Sequence, residues 1–349
     1  MSSEKNDKKK LGKGTKSVHS GTSPSENSLN TPVYQTSTFY LDDKGYKMWM
    51  AGEPRAPVYS GRYYNPTNRA VERKIADLEG AEDALVFSSG MAAINCLTDA
   101  MEKEFHIICS DDVYGGTRRI FDKVKNVNQN IEVTYTDFNK EDNWPGLIQK
   151  NTKMIWLETP SNPLLKIVDI SKIKSEISNE NIKIVCDNTF ASPYNQQPLK
   201  LGADVVVHSS TKYLGGHSDL ISGAVIIKDD THLSEKIKYL QNAVGSVPSP
   251  FDCYMLIRSI KTLAVRMERH NSNAMIISEF LNNHKKIRKV RYPGLESDNN
   301  HKIASKQMKG FGGIISVELD SDLKGTLKFL ENIDIFTLAE SLGLSLIHI

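Results

Sequence analysis

The chain has 349 residues, of which 39% are hydrophobic and 25% are charged, and its formal net charge is +2. This composition is that of a soluble globular protein, and the length suggests two domains or one large α/β domain with an appendage. A near balance of charge provides no basic face, so neither a nucleic-acid nor a membrane partner is expected. Since the sequence has no signal-peptide core and no bilayer-spanning stretch, we expect a cytoplasmic protein.

The N-terminal region has an unusual composition. Residues 1–16 are rich in lysine and contain almost no apolar side chains, so we expect a disordered tail. An N-terminal arm is expected over residues 17–68, where Pro32 and the β-prone residues after it disfavour a helix. The four cysteines are widely spaced with mostly apolar neighbours, which indicates reduced core thiols, and the histidines show no metal-ligand spacing. No metal site is predicted.

A loop rich in proline, glycine, tyrosine and arginine occupies residues 54–68. Arg62 and Tyr59 lie in this loop and could contact a phosphate, although an ordered surface loop with aromatic packing would have the same composition. Apolar side chains then recur at helical spacing over residues 68–79, which predicts an amphipathic helix.

A large α/β domain with a mostly parallel sheet is predicted over residues 69–260, because short apolar strands alternate with helical or polar segments. The predicted strands lie near residues 84, 107, 153, 182, 204 and 223. Ligands of such sheets bind beyond the carboxyl ends of the strands. The turns at those ends contain Gly90, Met91, Tyr114, Asn162, Asp187 and Lys212.

These turns carry groups that suit a phosphate-bearing aldehyde such as pyridoxal phosphate (PLP). Gly90 and Met91 open a helix, whose N-terminus favours an anion, although such turns also occur for packing alone. Tyr114 could stack on a planar ring, and Asp187 is a partly desolvated carboxylate that requires a cationic partner. Lys212 follows a buried strand and lies among hydroxyls, which makes it a candidate Schiff-base lysine; a solvated loop lysine is the alternative.

A smaller C-terminal α/β domain is expected over residues 261–349. Its predicted elements are a long helix that starts near residue 250 and runs to residue 280, strand-like runs at 286–293 and 311–319, and a helix at 323–331.

Seven motifs carry a resemblance to a known enzyme family. They are Thr-Pro-Val-Tyr-Gln-Thr-Ser-Thr-Phe (31–39), Ser-Ser-Gly-Met-Ala-Ala (88–93), Tyr-Gly-Gly-Thr (114–117), Asp-Asn-Thr-Phe (187–190), Ser-Ser-Thr-Lys-Tyr (209–213), Gly-His-Ser-Asp (216–219) and Val-Pro-Ser-Pro-Phe-Asp-Cys-Tyr (247–254). Over roughly residues 15–343 the chain resembles the PLP-dependent enzymes of cysteine and methionine metabolism, and among them the cystathionine gamma-lyases. The resemblance implies the PLP-dependent aminotransferase-like fold (fold type I).

The resemblance also implies PLP as the cofactor and gives roles to the candidate residues. Lys212 would be the Schiff-base lysine, and Asp187 would pair with the pyridinium nitrogen. The implied phosphate and ring contacts are Ser209, Thr211, Gly90, Met91 and Tyr114. Arg62 and Tyr59 would complete the phosphate site of a neighbouring subunit in a homotetrameric dimer of dimers, here with one residue more between them than in the family.

The implied reaction is the PLP-dependent γ-elimination of L-cystathionine to L-cysteine, 2-oxobutanoate and ammonia. Lys212 and Tyr114 would be the catalytic residues. The implied substrate contacts are Asn162, Arg119 and Glu340. A cystathionine gamma-synthase, a methionine gamma-lyase and an inactive PLP-binding chain are the alternatives; Gly116 bears on this choice, because methionine gamma-lyases have a cysteine at that position.

The C-terminal residues depart from the family pattern. Residues 344–349 do not match the family's continuation, and the arginine that binds the substrate carboxylate there has no counterpart in this sequence. We therefore expect the small domain to be incomplete.

Overall fold

The computed structural model describes residues 11–21, 28–40, 42–51, 60–101, 103–140, 144–339 and 341–342. The strands are β1 (Asp83–Phe87), β2 (His106–Ser110), β3 (Glu132–Thr136), β4 (Thr152–Glu158), β5 (Lys183–Asp187), β6 (Val205–Ser209), β7 (Gly223–Ile227), β8 (Ile287–Arg291) and β9 (Ser316–Leu319).

The helices extend from Lys13 to Glu331. They are α1 (Lys13–His19), α2 (Asp43–Met50), α3 (Pro66–Glu79), α4 (Gly90–Ala100), α5 (Gly115–Ile120), α6 (Asn126–Gln129), α7 (Ile170–Glu176), α8 (Ser192–Asn195), α9 (Pro198–Leu201), α10 (Thr231–Val244), α11 (Pro250–Ile260), α12 (Leu263–Asn282), α13 (His301–Gln307) and α14 (Leu323–Glu331). A π-helical turn joins α5 to α6, and a 3-10 helix precedes β4.

Strands β1 to β7 form one sheet in the order β1-β7-β6-β5-β4-β2-β3. The pairs β3/β2, β2/β4, β4/β5 and β5/β6 are parallel. Strand β7 is antiparallel to both β1 and β6. The predicted α/β fold with a mostly parallel sheet is thus confirmed. β7 can be antiparallel because the chain returns from β6 without the helical crossover that a parallel pair needs. The edge strand β3 was not predicted, because its sequence has no apolar run and it is only partly buried.

Helices cover both faces of this sheet. On one face, α4 packs against side chains of β1, β6 and β7 that include Val205 and Val207. On the other face, α3 and α11 pack against Val206 and its neighbours. Alternate residues of β6 therefore belong to different layers, as the period of a strand requires. This alternation decides which side chains reach the candidate site.

Local sequence signals set the ends of α3, the helix predicted over residues 68–79. Asn65 is its N-cap, and the side-chain oxygen accepts hydrogen bonds from the backbone N–H groups of Thr67 and Asn68. Proline at the first helical position and Gly80 in the left-handed conformation after the last one mark its limits. Its last residue, Glu79, is completely buried.

The N-terminal helix α1 lies partly within the expected disordered tail. Lys13 Nζ donates to Tyr194 O at 2.6 Å, and Lys16 Nζ donates to Asp77 O at 3.0 Å. The prediction of disorder is therefore wrong for residues 13–16, which are helical and bonded to carbonyls near the sheet, while residues 1–10 of the expected tail lie outside the described residues.

In the C-terminal region, β8 and β9 form an antiparallel pair. The predicted long helix is divided at residues 261–262 into α11 and α12. The strand predicted at 311–319 is confined to β9, since Gly312 has φ of +85° and interrupts the extended backbone. In the part of the chain that the structure describes, no helix combines the length and apolarity needed to cross a bilayer.

Candidate active site

A cavity of about 310 Å³ lies at the carboxyl ends of the central strands. The predicted site residues that line it are Gly90, Met91, Tyr114, Asn162, Asp187, Ser209, Thr211 and Lys212. Since these residues are far apart in sequence, the parallel sheet is what brings them together.

Two predicted arginines lie elsewhere. Arg62 Nε donates to Asn242 Oδ1 at 3.1 Å on α10, and Arg62 is not part of the cavity wall of its own chain. Arg119 is exposed on α5, whose buried face is formed by Gly116 and Thr117, and it does not reach the wall either. Tyr59 and Glu340 lie outside the described residues.

Lys212 follows the end of β6 in a turn with a fixed backbone. Its N–H donates to Ser209 O at 3.1 Å, and its carbonyl accepts from Gly216 N at 2.7 Å. In the cavity, Lys212 Nζ donates to Ser341 Oγ at 2.7 Å. Burial lowers the pKa of Lys212, because a desolvated ammonium is less stable than a neutral amine. Such a lysine holds its proton less tightly than a surface lysine.

Asp187 is the last residue of β5 and is only 7% exposed. Its Oδ1 accepts hydrogen bonds from Thr189 N at 3.1 Å and Thr189 Oγ1 at 2.5 Å. Burial raises the pKa of Asp187, while the Thr189 bonds and the nearby His208 oppose that rise. Thr189 Oγ1 also accepts from Ser209 N at 2.8 Å, so it joins two predicted site residues. Sequence reasoning missed Thr189, although a hydroxyl two residues after a strand-end carboxylate is a recognisable signal.

Glu158 is a second carboxylate that was not predicted. It ends β4, is paired in register with Asp187 and lines the same cavity. Its Oε2 accepts from Tyr114 N at 2.9 Å, and its Oε1 accepts from Asn162 N at 3.0 Å. Burial, with a further contribution from the charge of Asp187, raises the pKa of Glu158 well above its usual range. Since ionisation of these two adjacent buried carboxyls is unfavourable without a counter-charge, this part of the cavity favours a cation.

The opposite part of the cavity suits an anion. Helix α4 begins at Gly90 with Ser89 as its N-cap, and the first N–H groups of a helix have no partner inside it. A Cβ on Gly90 would lie 2.9 Å from Ser209 Cβ, so only glycine lets the start of α4 approach β6 this closely. Thr211 Oγ1 makes two hydrogen bonds with the backbone of Ser222: it donates to the Ser222 carbonyl and accepts from the Ser222 N–H.

The Tyr114 ring packs against Gly116. A Cβ on Gly116 would lie 2.3 Å from Tyr114 Cε1 and 3.0 Å from Met91 Sδ. Tyr114 is 49% exposed and lines the cavity.

These groups fit the three chemical parts of PLP. The start of α4 and the nearby hydroxyls suit a phosphate, the buried carboxylates suit a protonated ring nitrogen, and the amine of Lys212 suits an aldehyde.

Comparison with known proteins agrees with this fit. The chain matches the Cys/Met metabolism PLP-dependent enzyme family over residues 14–348. It is 45% identical to cystathionine beta-lyase from Coxiella burnetii, with 97% of this chain and 86% of that protein covered. It is 43% identical to cystathionine gamma-synthase from Mycobacterium leprae, with 95% and 84% covered. The solved structure of cystathionine gamma-lyase from Lactobacillus plantarum complexed with L-serine has a TM-score of 0.88 and 40% identity, with 96% and 85% covered. The chain therefore belongs to the PLP-dependent enzymes of Cys/Met metabolism.

Proposed function

We propose that the chain is a carbon–sulfur lyase that converts L-cystathionine and water to L-cysteine, 2-oxobutanoate and ammonia by γ-elimination. The observation that carries this proposal is the meeting of Lys212 and Asp187 in one cavity beside Tyr114. The membership of the chain in a PLP-dependent family supports it.

In this proposal the residues of the cavity hold PLP by its separate parts. Lys212 binds the aldehyde through Nζ, and Asp187 accepts a hydrogen bond from the ring nitrogen. Tyr114 stacks on the ring. The phosphate contacts are Gly90, Met91, Ser209 and Thr211. When bound, PLP supplies an electron-withdrawing ring that makes the Cα proton of an amino acid acidic.

Lys212 is the proposed base for this proton. Its lowered pKa increases the neutral fraction of the amine near neutral pH, and Ser341 Oγ holds Nζ inside the cavity. Since γ-elimination also requires a proton to leave Cβ, the same amine serves both carbons. Tyr114 is the second proposed catalytic residue, with its hydroxyl as the proton donor to the leaving sulfur. Phe190 and Leu342 provide apolar wall that limits the access of water.

Substrate contacts are proposed for Asn162 and Glu340. Asn162 lines the cavity, and Glu158 fixes its backbone. Arg119 keeps its role only as a prediction, because its side chain is on the exposed face of α5.

Product analysis tests the reaction, because the relatives are named for three different reactions. With PLP and cystathionine, γ-elimination gives cysteine and 2-oxobutanoate, whereas β-elimination gives homocysteine and pyruvate. Formation of cystathionine from cysteine and an activated homoserine would indicate a synthase, and 2-oxobutanoate from methionine would indicate a methionine lyase. Bound PLP with none of these products would support the inactive alternative. Lys212→Ala should abolish turnover, while Lys172→Ala, on an exposed face of α7, should not.

We also propose a homotetramer built as a dimer of dimers, in which Arg62 and Tyr59 contact the phosphate of a neighbouring subunit. Support comes from the position of Arg62 outside its own cavity. Mixing inactive Arg62→Ala and Lys212→Ala chains should restore activity, because each mixed dimer would contain one intact site. A mixture as inactive as its components would contradict the shared site. A cytoplasmic location is proposed as well, since all four cysteines are buried and unpaired.

A further inference from the structure

A buried pair of polar side chains, His208 and Glu79, lies on the face of the sheet opposite the cavity. Val207 and Ser209 of β6 line the cavity, so His208 between them points to the other face. There, His208 Nε2 lies 2.6 Å from Oε1 of Glu79, the last residue of α3. The two side chains are 1% and 0% exposed.

Hydrogen bonds connect this pair to the segment that carries Asp187. Asn188 follows Asp187 directly, and its Nδ2 donates to Glu79 Oε1 at 2.9 Å and to Gln196 O at 3.1 Å. Gln196 Nε2 donates back to Asn188 Oδ1 at 3.0 Å. Glu79 therefore holds both β6, through His208, and the end of β5, through Asn188.

The pair affects the electrostatics of the cavity. A buried carboxylate is costly unless it is paired, and Glu79 Oε2 has no hydrogen-bond partner among the described residues. The other oxygen, Oε1, contacts His208 Nε2 and Asn188 Nδ2, and His208 also opposes the rise in the pKa of Asp187. On the outer side, burial lowers the pKa of Lys13 to about 8, and the charge of Glu79 opposes that shift. His208 thus contacts Glu79 on one face of the sheet, while Asp187 of the neighbouring strand lines the cavity on the other.

We propose that Glu79 and His208 are positioning residues for the cofactor, which fix β6 and the Asp187–Thr189 segment from the face of the sheet opposite the cavity. Their role rests on the proposed contact of Asp187 with the ring nitrogen of PLP. The contacts of Glu79 Oε1 with His208 Nε2 and Asn188 Nδ2 hold β6 and the end of β5 together, and with them the Asp187 carboxyl.

The test uses the full chain with His208→Gln, Glu79→Gln and the double substitution. For each protein we would measure the Kd for PLP by visible absorbance, the wavelength of the bound-PLP band, and the Tm of the PLP-free protein. His208→Gln should lower the Tm and raise the Kd at least tenfold, or about 1.4 kcal/mol. The double variant buries no unpaired charge, so its Tm should recover, yet its Kd should stay raised and its band shifted. Glu72→Gln, a buried carboxylate on the same helix, should leave the Kd unchanged.

Recovery of both the Tm and the Kd in the double variant would reduce the pair to a structural role and overturn the proposal. So would an unchanged Kd in His208→Gln. If the single variants do not fold, the Kd of the double variant still distinguishes a positioning role from a structural role. Asp187→Asn tests the proposed cofactor site separately from the positioning role of Glu79 and His208. If Asp187→Asn weakens PLP binding while the double variant does not, only the positioning role fails. If Asp187→Asn binds PLP like the wild type, the proposed site fails as well.

Discussion

The contact of Tyr114 with Gly116 gives a prediction that can be worked out from the structure. In Gly116→Ala, the new Cβ would lie 2.3 Å from Tyr114 Cε1. This distance is far below van der Waals contact, so the ring must move. Because Tyr114 is 49% exposed, the ring can turn towards solvent at little cost to the fold. The substitution should therefore remove the stacking surface and leave the fold intact.

The expected magnitude follows from the value of one aromatic stack. Such a contact is worth about 0.5–1.5 kcal/mol, which corresponds to an increase in the Kd for PLP of about two- to twelvefold. The free energy of unfolding of the PLP-free protein should not fall, since alanine favours a helix by about 1 kcal/mol over glycine. Absorbance titration with PLP and urea unfolding of the PLP-free protein measure the two quantities.

Gly115 provides a matched control on the same helix. A Cβ at Gly115 would meet no atom within 4 Å. Gly115→Ala should therefore bind PLP like the wild type. Equal Kd values for the two alanine variants would refute the proposed stacking of Tyr114. In a Tyr114→Ala background, Gly116→Ala should add no further loss, because the ring that it displaces is absent.

Two further predictions concern buried groups. Glu158→Gln places an amide NH₂ group against the N–H of Tyr114 or Asn162, which should lower the free energy of unfolding in urea by about 1–3 kcal/mol. The exposed Glu180→Gln should not change it. Equal stabilities of the two variants would contradict the bridging role of Glu158. Burial lowers the pKa of Lys74 from 10.5 to about 8. Between these two pH values the unfolded chain therefore binds more protons at this lysine than the folded protein does. As a result, this lysine makes the free energy of unfolding rise with pH. Lys74→Met should remove that rise, and an unchanged slope in urea unfolding between about pH 8 and pH 10 would contradict the shift.

The site residues that directly follow a buried strand could be predicted from local sequence patterns. Buried strands are recognisable as apolar runs, and the first polar residue after such a run lies at the edge where ligands bind. Asp187 and Lys212 were found in this way, and both line the cavity. Tyr114 was found by the same reasoning, and the structure places its ring at the cavity wall.

The parts that were missed depend on contacts between strands. Glu158 also ends a buried strand, but its partner Tyr114 is 44 residues away, and no local pattern reports that bond. No role was predicted for His208, because its partner Glu79 is 129 residues away and lies on the opposite face of the sheet from the cavity. The direction of β7 was missed because a run of apolar residues does not show which way a strand points.

If Lys212 holds PLP, chemical reduction should fix the cofactor to this lysine and to no other. The protein would be loaded with PLP, reduced with borohydride, digested and mapped by mass spectrometry. We expect the mass of the reduced cofactor on the peptide that contains Lys212, and none after Lys212→Ala. Cofactor mass on a different lysine, or on none, would contradict it.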